Sequence, residues 1–531
     1  MLELEGFKTK NFVEQIQILN EIGNGEPTPE MFRRLFEIYL APLGDKPVDA
    51  MVQHVLSGLL SKDEAETVKG LTSPNEKIKR LCLQITGRRL FQSAANLLLK
   101  MAAKEKEPVI VHEIFVTMSK LKNPAFLNFF SKHIRHPEDL NAAIAIKMVG
   151  EYNETGMKPE LFRIVEESEL EDRFETCSLP TAQSLETLAV FGGTDVIEFF
   201  ISRLHHKNPS VRRIIQEELV RIGEPVVPYV EIIFNEGSVD DKIMASNLLG
   251  AIGERMCGEV LIAAMDSGKA ADPNVRFAIY EAFGNIKFMK GLVCLMDGLA
   301  EEDPFFLICV INSLNRQLNP FVSDKIKERV LVGDGQAQRI LQAVSAAHAL
   351  DIFSALYRDA EIGRKLIDII AQSRDPEVIT AFSEKLQTLE GEQVQSHLQI
   401  LRSHTGAAAG PRILAVDDSR SMLSFYRKVL SDRGYTVVTA ANGREALELM
   451  ELQEPFSLVI SDMNMPVMDG IELARKVKDD PLLQNIPFIM ITTESDTSQQ
   501  QLACSVGVND FIIKPLTAEK FIAKVQQKLP D

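Results

Sequence analysis

"ISDMNMPVMDG" runs from Ile460 to Gly470. Apolar residues carry the chain to Asp462, after which it turns through Pro466 and reaches Gly470. An acidic residue that closes an apolar strand is costly unless that end is a working edge, because a buried charge needs a partner. The same pattern repeats on either side of this stretch. Strand candidates "RILAVDD", "YTVVTAA", "FSLVISD", "PFIMITT" and "DFIIKP" alternate with helix candidates such as "SRSMLSFYRKVLSDRG" and "NGREALELMELQ". Five such units in about 120 residues predict a parallel sheet whose short apolar strands are covered by helices on both faces.

Polar residues gather where the strands end. Asp417 and Asp418 end the first strand, Asp462 the third and Lys514 the fifth, and Thr492 lies near the end of the fourth. In a doubly wound sheet of order 2-1-3-4-5, strands one and three are neighbours, and ligands bind beyond their carboxyl ends. That topology brings three carboxylates to one rim, with a hydroxyl and an ammonium beside them. Three clustered carboxylates repel one another and need a cation, and an oxygen-only set suits Mg2+.

The motifs "VDD", "SDMNMPVMDG", "ITTE" and "FIIKP", in this order and spacing, strongly resemble the receiver domain of bacterial response regulators, in its chemotaxis-type form, over residues 412–531. The resemblance implies a flavodoxin-like α/β domain with five parallel strands. It assigns roles by position. Asp462 matches the phosphoacceptor. Asp417 and Asp418, with Asp462 and the backbone carbonyl of Asn464, match the Mg2+ ligands. Thr492 and Lys514 match the pair that binds phosphoryl oxygens, and Thr492 with Phe511 the switch. Asn464 and Glu494 match positions that tune dephosphorylation, which implies a short-lived acyl phosphate. The Lys514–Pro515 peptide is expected to be cis. The implied donor is a phosphohistidine on a sensor histidine kinase. The implied protein is a signalling phosphoacceptor rather than an enzyme, with self-dephosphorylation its only turnover.

Upstream lies a seam, "SHTGAAAGPR" from Ser403 to Arg412, whose small residues suit a flexible linker over 404–411. Residues 1–403 are helical in pattern throughout. Polar breaks recur at Asn208, Asp240, Asp272 and Asp303, in steps of 32, 32 and 31 residues; Asp334 continues the series and Asp375 reads as a later member. Each break suits a helix cap, often followed by Pro, and "IG" pairs at Ile222–Gly223 and Ile252–Gly253 suit stops. A fixed period with two helices per unit predicts an all-α solenoid. The stretch resembles the HEAT-like repeat family, most clearly over 205–320, with residues 1–60 as a helical cap. Such an array suits binding of a protein partner.

Composition narrows the classes further. Net charge is −17, of which residues 412–531 contribute −4 through 13 Lys and Arg against 17 Asp and Glu. Neither part has the basic balance that displaces counterions from nucleic acid. Six cysteines without a C-x-x-C pair read as reduced core residues of a cytoplasmic protein. The opening "MLELEGFKTKNF" lacks a secretory leader's apolar core, and no apolar run reaches the ~20 residues that span a bilayer. His205–His206 reads as surface structure, and Met463, Met465 and Met468 as loop packing. The expected protein is a multidomain two-component response regulator that switches the partner contacts of a helical scaffold. Its rivals are a phosphate sink or adaptor with a passive scaffold, and a solenoid enzyme, such as a lyase, regulated by the receiver.

Overall fold

Short polar side chains start the repeat helices. Asn208 caps Pro209–Ile222, Asp272 caps Pro273–Asn285, Asp303 caps Pro304–Arg316 and Asp334 caps Gly335–Ala346, each accepting backbone N–H groups of the first turn. The second break differs. Helix Val239–Ile252 is capped by Ser238, and Asp241, not Asp240, closes a capping box with it. A hydroxyl followed three residues later by a carboxylate satisfies two orphan donors at once. Gly223 and Gly253 stop their helices at φ of 79° and 75°, where a side chain would be strained. The structure is a computed structural model that describes all residues except 1–3, 5, 42–43, 170–176, 207, 374, 404–409, 453–454, 493–496, 515–516 and 530–531.

The chain forms two compact units, one of residues 1–171 with 177–191 and one containing residues 192–531. In the first, helices Glu76–Arg89, Pro108–Leu121, Asp139–Glu151 and Leu179–Phe191 pack each against the next. Burial of Leu83, Met118, Val149 and Leu188 supplies the apolar contact that no single pair has alone. Gly150 lets two of these helices touch: a β-carbon there would lie 2.9 Å from Thr187 Cγ2.

In the second unit, one row of helices runs Pro209–Ile222, Val239–Ile252, Pro273–Asn285, Pro304–Arg316, Gly335–Ala346, Ala360–Ala371 and Val394–Ser403, each packed on its predecessor. Asp375 does cap Pro376–Gln387, but this helix belongs to the other row, beside Leu350–Tyr357. The pair before it is short, so Ala360–Ala371 takes the next place in the first row and the phase of the series shifts. His205 is exposed and pairs with Asp241 at 2.8 Å. His206, expected at the surface, is buried, and its Nδ1 accepts the Asn208 N–H at 3.0 Å. Cys82, Cys257 and Cys309 are core residues, Cys177 and Cys294 are half-buried, and Cys504 is exposed. Among the described residues no helix is long and apolar enough to cross a membrane.

The last part of this unit is a parallel sheet of β1 (Arg412–Val416), β2 (Thr436–Ala440), β3 (Leu458–Asp462), β4 (Phe488–Thr492) and β5 (Asp510–Ile513), in the order β2-β1-β3-β4-β5. All four pairings are parallel. β3 and β4 are buried along their whole length, as parallel strands covered on both faces must be. Met463, Met465 and Met468 lie in the core against Val416, Ala440 and Leu473, so the loop after β3 is anchored from beneath.

The first helix of this sheet domain, Arg420–Ser431, packs on Pro304–Arg316 and Gly335–Ala346 of the array. Phe425 meets Phe305 edge-on at 5.1 Å. Arg427 is buried, pairs with Glu377, lies 3.8 Å from Asp375 and donates to Thr439 Oγ1 at 2.7 Å. Burial pushes the Asp375 carboxyl up, and Arg427 opposes that shift. Burial first, and the charge of Arg427 second, lower the pKa of His348 to about 4.

Two outcomes are expected. Arg427→Met should cost about 3 kcal/mol in guanidinium unfolding of the full chain, because Asp375 is left buried without its counter-charge. His348 is neutral when folded, so its contribution is full above the unfolded value near 6.5 and is lost as pH falls through the folded value of about 4. Denaturation midpoints should therefore fall as pH drops across that window, and His348→Gln should flatten the dependence.

Candidate functional site

Strand order places the site. It reverses between β1 and β3, and at such a switch point the two carboxyl ends leave a crevice. Asp417 follows β1 directly, Asp462 closes β3, Thr492 closes β4 and Lys514 follows β5. The Lys514 N–H bonds to the Thr492 carbonyl at 2.9 Å; this extends the β4–β5 pairing by one residue and carries the ammonium back over the sheet edge. Lys514 Nζ donates to Asp462 Oδ1 at 2.7 Å and lies 3.6 Å from Asp417 Oδ2.

Asp417 is 1% exposed. Its Oδ1 accepts the Ser419 N–H and its Oδ2 the Tyr426 hydroxyl, both at 2.9 Å. Burial pushes its carboxyl up to about 7, with Lys514 opposing and Asp462 adding to the rise. Asp418 is also pushed well above the usual carboxylate range, by the protein packed around it and then by the charges of Asp417, Asp462 and Glu281. Its surface is nevertheless open to water, which weakens the first cause and leaves the neighbouring charges as the firmer one. For Lys514, burial acts to lower the pKa, but Asp417, Asp462 and Asp418 outweigh it and the ammonium is held well above its ordinary value.

The remaining expected residues fall around this centre. Asp462 Oδ2 accepts the backbone N–H of Asn464 at 3.0 Å. The buried hydroxyl of Thr492 lies 3.8 Å from the Met463 sulfur. Phe511 is half-buried against the sheet's core. Glu494, expected to tune dephosphorylation, and Pro515, expected to follow a cis peptide, lie outside the described residues.

Several residues at the site are not among those the sequence singles out. Gly470 opens helix Gly470–Asp479 so close to β3 that a β-carbon would sit 2.2 Å from the Asp462 carbonyl oxygen. The "MDG" ending could have suggested this one, since a Gly beside a strand end often marks close backbone approach. Tyr426 sits on the buried face of its helix, where an aromatic ring reads as plain core. Two others come from the array. Glu281 accepts the Ser419 hydroxyl at 2.7 Å. Arg212, 4% exposed, donates to the His206 carbonyl at 2.8 Å and to the Asn464 side-chain oxygen at 3.4 Å.

The donor set fits a hard divalent ion. Carboxylates and carbonyls offer oxygen alone, and Mg2+ is commonly held by one or two carboxylates, with water and phosphate completing its shell. Among the described residues no group of three or more His, Cys, Asp or Glu side chains is arranged to hold a metal ion by itself, so an ion here would draw further ligands from the backbone, water or phosphate. Burial first, and the charge of Asp462 after it, raise the Asp417 carboxyl to about 7 against the pull of Lys514, and a cation at this edge would oppose both.

The response regulator receiver domain matches residues 413–526. Chemotaxis protein CheY1 of Helicobacter pylori is 38% identical over 116 residues, 22% of this chain and 94% of its own length. The CheY homolog of Campylobacter jejuni is 35% identical over 119 residues, 22% of this chain and 92% of its own. The solved structure of Vibrio cholerae CheY4 is 38% identical and covers 22% of this chain and 98% of that one, with a TM-score of 0.22.

Gly470→Ala tests the close approach at the site's rim. The substitution should lower the stability of the full chain by about 1–3 kcal/mol in denaturant unfolding, because the helix start or the end of β3 must move.

Proposed function

The chain belongs, through its carboxyl-terminal receiver domain, to the response regulator family, and from that premise we propose that Asp462 accepts a phosphoryl group and thereby changes what the helical array binds. The observation that carries the reading is the Lys514 ammonium 2.7 Å from the Asp462 carboxylate at the switch point of the sheet. A carboxylate is a weak nucleophile, but phosphoryl transfer asks mainly for positioning and neutralised charge.

The donor is a phosphohistidine of a sensor histidine kinase. An Asp462 oxygen bonds to phosphorus as the nitrogen–phosphorus bond breaks; the leaving electron pair stays on the imidazole, which takes up a proton. Lys514 holds Asp462 in place and offsets the charge on the phosphoryl oxygens. Thr492 offers its hydroxyl to the same oxygens, and Phe511 follows Thr492 inward. Asp417, Asp418, Asp462 and the Asn464 carbonyl would hold Mg2+, which when bound supplies charge neutralisation. Asn464 and Glu494 shorten the life of the acyl phosphate. Self-dephosphorylation is then the only turnover, and the chain acts as a phosphoacceptor rather than an enzyme.

The division of labour follows the seam. Residues 1–403 are a HEAT-like scaffold with a protein partner and 412–531 the switch, acting in the cytoplasm; of the linker expected over 404–411, residues 404–409 lie outside the described residues. A passive scaffold serving a phosphate sink is favoured less, because Arg420–Ser431 packs on the array and Glu281 reaches the Ser419 hydroxyl at the site's edge. A phosphoryl group adds about 1.5–2 negative charges beside that contact.

Acetyl phosphate with Mg2+ should add one phosphoryl mass to the intact chain, and Asp462→Asn should abolish the gain. Beryllofluoride-loaded and unloaded chains should capture different partners in pull-downs. A chain that takes no label from acetyl phosphate or from any kinase would refute the assignment.

A further inference from the structure

The array does more than touch the receiver beside its acidic edge. Arg212 lies in the first turn of helix Pro209–Ile222, just after the Asn208 cap. One arm of its guanidinium is fixed on the His206 carbonyl at 2.8 Å and the other donates to the Asn464 side-chain oxygen at 3.4 Å. The residue is 4% exposed, so its donors are placed by the array backbone and not by solvent. Asn464 in turn gives its backbone N–H to Asp462 Oδ2 at 3.0 Å. Two hydrogen bonds therefore link the array to the acceptor carboxylate.

We propose that Arg212 is a positioning residue supplied by the array, which sets the lifetime of the acyl phosphate on Asp462 by holding the Asn464 side chain. The inference rests on the phosphoacceptor reading above. Hydrolysis requires a water oxygen to attack phosphorus while the bond to the Asp462 oxygen breaks; the carboxylate re-forms, inorganic phosphate leaves and the water proton goes with it or to solvent. A neutral amide can orient that water by accepting its O–H on the carbonyl oxygen or by donating its NH2 to the water oxygen, and either needs the amide free to turn. The guanidinium competes for the carbonyl oxygen and fixes the rotamer of the amide. Docked in this way, the array protects the phosphoryl group, and anything that draws helix Pro209–Ile222 away from the receiver hastens its loss. A ligand shifts an equilibrium toward the state it binds better, so a partner that binds the undocked array shortens the signal and one that binds the docked array prolongs it.

The full-length chain, loaded with acetyl phosphate and Mg2+ and then freed of donor, gives the decay by intact mass. Arg212→Met should shorten the half-life about two- to tenfold, the effect of one hydrogen bond of ordinary net strength. Arg212→Lys, which keeps the charge but not the fork, should fall between Met and Arg. In an Asn464→Ala background both substitutions should have no effect, a pattern that mere loss of structure does not give. An unchanged half-life in Arg212→Met, or the same shortening with and without Asn464, overturns the inference. Should circular dichroism find Arg212→Met unfolded, the comparison of Arg212→Lys with wild type in the two backgrounds decides. Extent of loading reports on the phosphoacceptor reading and rate of decay on Arg212; a chain that never loads refutes both.

Discussion

Three carboxylates cannot share one sheet edge without an opposing charge, and the arrangement of this domain follows from how that charge is supplied. Lys514 reaches Asp462 and Asp417 only because β5 lies beyond β4 and its backbone pairing continues one residue past the strand. Tyr426 and the Ser419 N–H take up the two oxygens of Asp417. A carboxylate in the interior is tolerable when each oxygen has a partner and costly when one does not. Asp418, open to water, faces the charges of Asp417, Asp462 and Glu281. The edge is thus electrostatically unfinished, which is the condition under which a hard cation and a phosphoryl group bind together on the proposed reading.

The fold was largely legible because its signals are local. Five apolar strands alternating with helices specify a parallel sheet, and Asp417, Asp462, Thr492 and Lys514 sit at strand ends by position alone. Repeat phase was legible where caps recur, and failed where they mislead. Asp240 stands in the right place by spacing, but Ser238 offers the hydroxyl that the first turn uses. Asp375 is a true cap on a helix of the other row, since a cap reports where a helix starts and not which row it joins. His206 reads as surface in sequence but is buried, because burial is a property of what packs on a segment, and that is not local.

What the sequence could not carry was the contact between array and receiver. Arg212 and Asn464 are 252 residues apart, and Glu281 and Ser419 are 138 apart. No periodicity or spacing connects such pairs. A buried arginine in a repeat helix also looks, in sequence, like one more charge on a solvated face. Tyr426 is hidden differently: an aromatic side chain at helical spacing fits the core, and only the position of its hydroxyl, 2.9 Å from Asp417, gives it a second role.

The receiver's docking on its own unit of the array ties charge at the site to packing at a distance. Arg427 is buried between Glu377, Asp375 and Thr439, so Arg420–Ser431 is anchored at its far end by an ion pair that is expensive to break. Its near end adjoins the Ser419–Glu281 contact, where new negative charge is repelled, while the Arg212–Asn464 contact lies where new negative charge is attracted. A unit charge at ~8 Å interacts at about 2 kcal/mol when the effective dielectric constant is about 20, within the roughly 1–3 kcal/mol typical of coupling between sites. Phosphoryl charge at Asp462 would on the proposed reading favour the Arg212–Asn464 contact and disfavour the Ser419–Glu281 contact. On the proposed reading, then, phosphorylation redistributes contacts within the interface about the Arg427 end and does not release the receiver wholesale.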